Sequence, residues 1–145
     1  MSPAARPDDE YILSCDGASR GNPGDAAFGF VLTDGDGLEL AAVGEAIGRA
    51  TNNVAEYTAL VRGLAQAQAL GVRRIRVRMD SELAVRQVLG VYRVKNAGLQ
   101  PLHAEAQRLR GRFDAFRIEH VPRAENARAD ALANAALDAL RSPQE

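Results

Sequence analysis

A single α/β domain with its elements in the order βββαβααβα is what this sequence predicts, and three observations carry that prediction. The first third alternates and turns like a β-meander. The hydrophobic period lengthens to helical spacing near Asn53, and from there helical and strand-like stretches follow one another to the end. Strands joined by tight turns pair antiparallel and strands joined through helices pair parallel. The sheet is therefore expected to be antiparallel at its start and parallel where helices make the crossovers.

Residues 1–9 read as a flexible, polar, proline-containing tail and 142–145 as a frayed end, which leaves 10–141 as one domain. Residues 11–16 form a short apolar run closed by Asp16, and Gly17-Ala18-Ser19-Arg20-Gly21-Asn22-Pro23-Gly24 is a concentrated turn signal. Strands follow at 26–33 and 38–46, around the hairpin chemistry of Asp34-Gly35-Asp36-Gly37. Tyr57, Leu60, Val61, Leu64 and Leu70 then recur at helical spacing, with Asn53 as N-cap, Glu56 as its capping-box partner and Gly71 as the stop. A strand at 72–79, a short helix at 81–89, a helix at 99–111 entered through Pro101, a strand at 113–121 and a helix at 126–140 complete the order. Arg74-Ile75-Arg76-Val77-Arg78-Met79 alternates strictly, which predicts that part of that strand's second face is open to solvent.

The chain has 145 residues, 46% hydrophobic and 26% charged, which suits one packed core and excludes disordered and fibrous architectures. No apolar run reaches the roughly 18–20 residues of a membrane span, and the first ten residues lack the basic-then-apolar order of a secretory signal. A cytoplasmic protein without a membrane partner is expected. Cys15, the single cysteine, can form neither an internal disulfide nor, alone, a zinc site. A net charge of −1, from 18 basic and 19 acidic residues, speaks at first sight against a polyanion partner. Yet every basic residue except Lys95 is arginine, whose planar fork suits phosphate, although codon composition explains the same bias.

Four acids fall at similar places. Asp16 closes the first strand, Glu56 opens the first long helix, Asp80 closes the strand ending at Met79, and Asp130 lies early in the last helix. The carboxyl ends of parallel strands share one edge of an α/β sheet, where ligands bind, so these acids can converge there. Each also has a purely structural reading: a capping box for Glu56, a helix cap for Asp80, a complement to a helix N-terminus for Asp130, a turn for Asp16. Together they form a like-charge cluster that is costly unless some groups protonate or a cation neutralises them. Oxygen ligands without cysteine or histidine select Mg²⁺ or Mn²⁺, and acids sharing two such ions about 3.5–4 Å apart are suited to phosphodiester hydrolysis.

Asp16-Gly17-Ala18-Ser19-Arg20-Gly21-Asn22-Pro23-Gly24, Thr51-Asn52-Asn53-Val54-Ala55-Glu56, Met79-Asp80-Ser81-Glu82 and Ala129-Asp130-Ala131-Leu132-Ala133-Asn134 resemble, in order and spacing, the four catalytic blocks of type 1 ribonuclease H. The first two blocks are specific, and the resemblance runs from Tyr11 to Leu140. It implies the ribonuclease H-like fold, a five-stranded mixed sheet flanked by helices, with the first three strands antiparallel and the last two parallel to the first. It also implies an endonuclease that cuts the RNA strand of RNA/DNA hybrids, leaving 5′-phosphate and 3′-hydroxyl ends. Asp16, Glu56, Asp80 and Asp130 would hold two Mg²⁺ ions, or Mn²⁺, one activating the attacking water and one stabilising the leaving oxygen. By the same resemblance Gly17, Ala18, Ser19, Asn22 and Asn53 line the minor groove of the hybrid, and Thr51 and Asn52 lie near a pocket for a DNA-strand phosphate. The implied partner is a hybrid, bound by a monomer.

The sequence departs from the pattern in three places. Residues 90–100 are short where well-known bacterial members carry a basic protrusion, with Arg93 and Lys95 the only cations and Tyr92 expected to be buried. Weaker and more salt-sensitive hybrid binding is the corresponding expectation. The segment before Asp130 has no histidine where many members have one. Arg123 is the candidate for phosphate contact there, while His120 reads as structural and His103 as a helix-surface residue. Glu82 replaces a groove-contacting amide and reads as a first-turn helix acid. Two alternatives stay open: a same-fold nuclease for another duplex such as double-stranded RNA, and a non-catalytic hybrid-binding module. With the four acids set aside, the rest of the chain is mildly cationic.

Overall fold

The computed structural model describes residues 5–140; residues 1–4 and 141–145, among them the end expected to fray, lie outside the described residues. The elements are β1 (Glu10–Gly21), β2 (Gly24–Thr33), β3 (Glu39–Ala50), α1 (Asn52–Ala69), β4 (Arg74–Met79), α2 (Glu82–Val88), α3 (Gln100–Arg110), β5 (Ala115–His120), a 3₁₀ turn (Arg123–Asn126) and α4 (Ala127–Ala139). The five strands form one sheet in the order β3-β2-β1-β4-β5. β1 pairs antiparallel with β2 and β2 with β3, whereas β4 runs parallel to both β1 and β5. Among the described residues, no helix is long and apolar enough to cross a membrane.

One face of the sheet, built on Leu13, Phe28, Val77 and Met79, packs against α1 and through it α3, with Tyr57, Leu60 and Leu64 fully buried between them. α4 packs on the other face over β1, β2 and β3. It lies so close that a side chain at Gly29 would place its Cβ 2.3 Å from the Ala129 carbonyl oxygen. α4 leaves the second face of β4 to Arg74, Arg76 and Arg78, which explains the strict alternation. Ion pairs lace that open face: Arg76–Glu119 at 3.4 Å, Arg78–Glu125 at 2.8 Å and Arg117–Glu10 at 2.8 Å.

The structure changes two expectations about the start of the chain. β1 does not stop at Asp16 but continues through Gly17-Ala18-Ser19-Arg20, pairing Gly17 with Phe28 and Arg20 with Asp25, and the turn is confined to Asn22 and Pro23. Glycine at position 17 answers to packing, because a Cβ there would lie 2.3 Å from the Glu56 amide nitrogen of α1. The part of the tail described, residues 5–9, is tied down. The Ala5 N–H donates to the Leu70 carbonyl at 3.2 Å and the Arg6 N–H to the Tyr11 hydroxyl at 2.8 Å.

Candidate active site

The register of the two central parallel strands builds the site. Cys15 is aligned with Met79, the last residue of β4, so the next residues stand side by side, Asp16 in the middle of β1 where its pairing with β4 ends and Asp80 just past the carboxyl end of β4. Glu56 reaches them from α1 across Gly17. The structural readings of Asp16, Glu56 and Asp80 do not hold, whereas Asp130 does stand in the first turn of its helix. Thr51, not Asn53, caps α1, its hydroxyl accepting the Val54 N–H at 3.2 Å, and Glu56 stands two residues past the capping-box position. Ser81, not Asp80, caps α2. One carboxylate oxygen from each of Asp16, Glu56 and Asp80 lies within 4.8 Å of the others. Asp130 stands in the first turn of α4 beside the Asp16 carboxyl, whose neutral form it favours. The Asn134 side-chain amide donates to Asp130 at 3.2 Å, and the Arg123 guanidinium is 3.7 Å away.

Asp16 is 5% exposed and Glu56 7%, so both charges sit out of water. Burial, the Asp130 carboxyl beside it and the charge of Asp80 push the Asp16 carboxyl up to about 8, against the Gly17 N–H that favours its charged form. Burial and Asp80 push Glu56 up to about 7, with the Ser81 hydroxyl pulling the other way. Two buried acids held partly protonated beside a third are a site that a divalent cation would relieve, and an all-oxygen donor set is the kind that hard cations take. The acids open into a cleft of about 350 Å³ also lined by Gly17, Ala18, Ser19, Asn52 and Arg123.

Similarity to known proteins identifies this arrangement. The family model described as reverse transcriptase-like matches residues 14–136. A ribonuclease HI of Halobacterium salinarum is 51% identical over 123 residues, 85% of this chain, and a bifunctional protein of Mycobacterium tuberculosis is 48% identical over 90% of it. This chain spans 62% of the length of the first and 36% of the second. The crystal structure of RNase H1 from Halobacterium salinarum superimposes with a TM-score of 0.87 at 48% identity, covering 90% of this chain and 98% of that one. The chain belongs to the type 1 ribonuclease H family. LC11-RNase H1, solved in complex with an RNA/DNA hybrid, is 44% identical at a TM-score of 0.86, covering 91% of this chain and 99% of that one.

Seen as a ribonuclease H, the chain places its remaining expected site residues in two groups. Gly17, Ala18, Ser19, Asn52 and Arg123 line the cleft, and Arg123 is 80% exposed beside it. Asn22, Thr51 and Asn53 are not among the lining residues and sit at the junction that supports it. The Asn22 side-chain oxygen accepts the Asn52 N–H at 3.0 Å, tying the β1–β2 turn to the start of α1. The Ser19 hydroxyl donates to the Ala50 carbonyl at 2.9 Å and also contacts the Gly21 carbonyl.

Arg20 and Asn134 line the cleft too, and neither was expected from the sequence. Reading 17–24 as a turn hid Arg20. Once β1 is extended, Asp16, Ala18 and Arg20 share the face toward α4, where Arg20 pairs with Asp138 at 2.7 Å. Asn134 is one helical turn after Asp130, a spacing that could have found it.

Three expectations about the departures are settled by packing. Tyr92 is 48% exposed rather than buried, with the Arg86 guanidinium 5.5 Å from its ring, because the short 90–99 loop passes outside α2. His103 is half-buried rather than a surface residue, since α3 packs on α1; its Nε2 lies 3.2 Å from the Gln87 carbonyl and its ring meets Tyr57 edge-on. Glu82 turns away from the cleft to an i,i+4 pair with Arg86 at 2.9 Å, as a helix acid would.

Proposed function

We propose that this chain is a divalent-metal-dependent endoribonuclease that hydrolyses the RNA strand of RNA/DNA hybrids, leaving 5′-phosphate and 3′-hydroxyl ends. The observation that carries the proposal is the convergence of Asp16, Glu56 and Asp80 where the pairing of β1 with β4 ends, beside Asp130 and inside an open cleft. A binding module for a polyanion gains nothing from burying two carboxylates where the ligand must lie. The near relatives named ribonuclease HI and the structure of one homologue with its hybrid support the same reading.

In this reading Asp16, Glu56 and Asp80 hold Mg²⁺, with Mn²⁺ as substitute, and Asp130 completes the ligand set. Bound there, the cations supply the positive charge that an in-line phosphodiester displacement requires and activate the attacking water. The chain's own residues do the rest. Burial keeps Asp16 and Glu56 dry and aimed. Gly17 and Ala18 present a floor without bulk, which suits the wide, shallow minor groove of an A-like duplex. The Ser19 hydroxyl donates to backbone carbonyls, Gly21 or Ala50, so its oxygen offers that groove an acceptor for a 2′-hydroxyl donor. Asn52 and Arg123 take backbone phosphates on either side, and Asn22, Thr51 and Asn53 fix the β1–α1 junction that presents Asn52. We take the enzyme to act as a monomer in the cytoplasm, where such a substrate is met.

The test is one labelled RNA/DNA hybrid beside single- and double-stranded RNA, with Mg²⁺, Mn²⁺ or chelator, for wild type and Asp80→Asn. Metal-dependent cutting of the hybrid RNA strand that Asp80→Asn abolishes is expected. Cutting that survives the chelator or Asp80→Asn, or cutting confined to double-stranded RNA, would overturn the proposal.

A further inference from the structure

The segment between β5 and α4 carries Arg123 and leads into Asp130, and three bonds tie it to the residues that neighbour the central acids. The Val121 N–H donates to the Met79 carbonyl at 2.9 Å, one residue before Asp80. Asn126, 2% exposed, donates its side-chain amide to the Cys15 carbonyl at 2.8 Å, one residue before Asp16. The third tie is made by side chains alone. Arg78, two residues before Asp80 on the open face of β4, places Nη2 2.8 Å from Glu125 of the 3₁₀ turn. The Arg78 Nε is buried without a hydrogen-bond partner and lies 3.8 Å from the Glu119 carboxylate, so Glu119 steadies it by charge alone.

We propose that the Arg78–Glu125 pair is a brace that sets the distance of Asp130 from Asp16 and Asp80, and that Arg78, Glu125 and the buried Asn126 are positioning residues for the ligand set. This rests on the function proposed above. The acids crowd one another, and a shift of the 3₁₀ turn together with the first turn of α4, where Asp130 sits, is the movement that would part them. The brace opposes that drift from the sheet side. A partly exposed ion pair adds little to global stability, so its loss should be read in the site and not in the melting of the whole chain.

The experiment compares wild type, Glu125→Gln, Arg78→Met and the double variant. It measures kcat and KM on an RNA/DNA hybrid, Mn²⁺ binding to the purified protein by calorimetry, and hydrogen exchange of the amides from Arg123 to Asp130. Glu125→Gln should lower kcat about tenfold and weaken Mn²⁺ binding by a similar factor, the scale seen for groups that orient metal ligands, with KM within about twofold of wild type. Exchange over Arg123 to Asp130 should quicken. Arg78→Met should do the same, and the double variant should be no worse than either single one, because one tie is broken in all three. Glu105→Gln, which breaks the equivalent surface pair with Arg108 on α3, should leave every readout unchanged. Unchanged kcat, Mn²⁺ affinity and exchange in Glu125→Gln, or losses that multiply in the double variant, would overturn the brace. A wild type that cuts no hybrid would instead overturn the proposed function, while Mn²⁺ binding and exchange would still decide the brace.

Discussion

At the scale of single residues the site is defined by acids that resist ionising. Asp16 and Glu56, pushed up to about 8 and about 7 from ordinary values of 3.8 and 4.5, bind more protons folded than unfolded between about pH 4 and pH 8. Their contribution to stability is therefore fully present below the ordinary values and is lost as pH rises through the raised ones. Metal-free protein should melt lower at pH 8 than at pH 5 by differential scanning fluorimetry, with Mg²⁺ or Mn²⁺ restoring the melting temperature more at pH 8. Burial raises both neighbours most, and Asp80→Asn removes a charge that raises them further. In chelator at pH 8 it should melt above wild type, yet show little further rise with Mg²⁺ and lose hybrid cleavage by more than about 100-fold. A variant that is destabilised under those conditions would show that Asp80 supports the fold instead. Asn126→Asp replaces the donor to the Cys15 carbonyl by an acceptor inside the core, and urea unfolding should show a loss of about 1–3 kcal/mol.

At the scale of elements, the site depends on how closely two helices approach the sheet. α1 brings Glu56 over Gly17, and α4 brings Asp130 to Asp16 by resting on Gly29. Gly29→Ala should therefore cost about 1–3 kcal/mol in denaturant unfolding and lower kcat as α4 is lifted, whereas a side chain at Gly35 in the β2–β3 hairpin meets nothing and should leave activity unchanged. Elements were largely legible from sequence. All ten helices, strands and turns except the 3₁₀ turn were expected in order, with ends displaced by a few residues. The largest displacement, β1, has a clear cause. Gly17, Gly21 and Gly24 look like punctuation in a sequence, but a strand keeps a glycine where another backbone presses on it, and nothing local distinguishes the two uses.

At the scale of the whole molecule, charge is sorted along β1. Asp8, Asp9, Asp34 and Asp36 gather at its amino end, far from the cleft, while Arg20 and Arg123 lie at the end that holds the central acids. Arg20 is already paired with Asp138, so few cations remain to meet phosphate. This reverses one expectation. Hybrid binding should be weak, but counterion release then gives a shallow salt dependence, about tenfold between 50 and 200 mM salt for two phosphate contacts against 10³ or more for a protein making six. A filter-binding titration of Asp80→Asn on a hybrid checks this, and a steep slope would mean that Arg93, Lys95 and other loop cations reach the duplex.

The sequence by itself determined the order of the elements and the family, and singled out four acids as candidates, because these depend on residue type and spacing along the chain. It also determined that β4 would keep a charged face, since strict alternation leaves no second apolar surface to cover. Only the tertiary structure decided which acids meet and which residues support them. The Cys15–Met79 register puts Asp16 beside Asp80, α1 packing buries Glu56, and Arg20, Asn134, Arg78 and Glu125 acquire neighbours far away in sequence. The physical reason is that a raised carboxyl, a brace or an exposed Tyr92 is a property of distance and dielectric in three dimensions, and neither is written in local spacing.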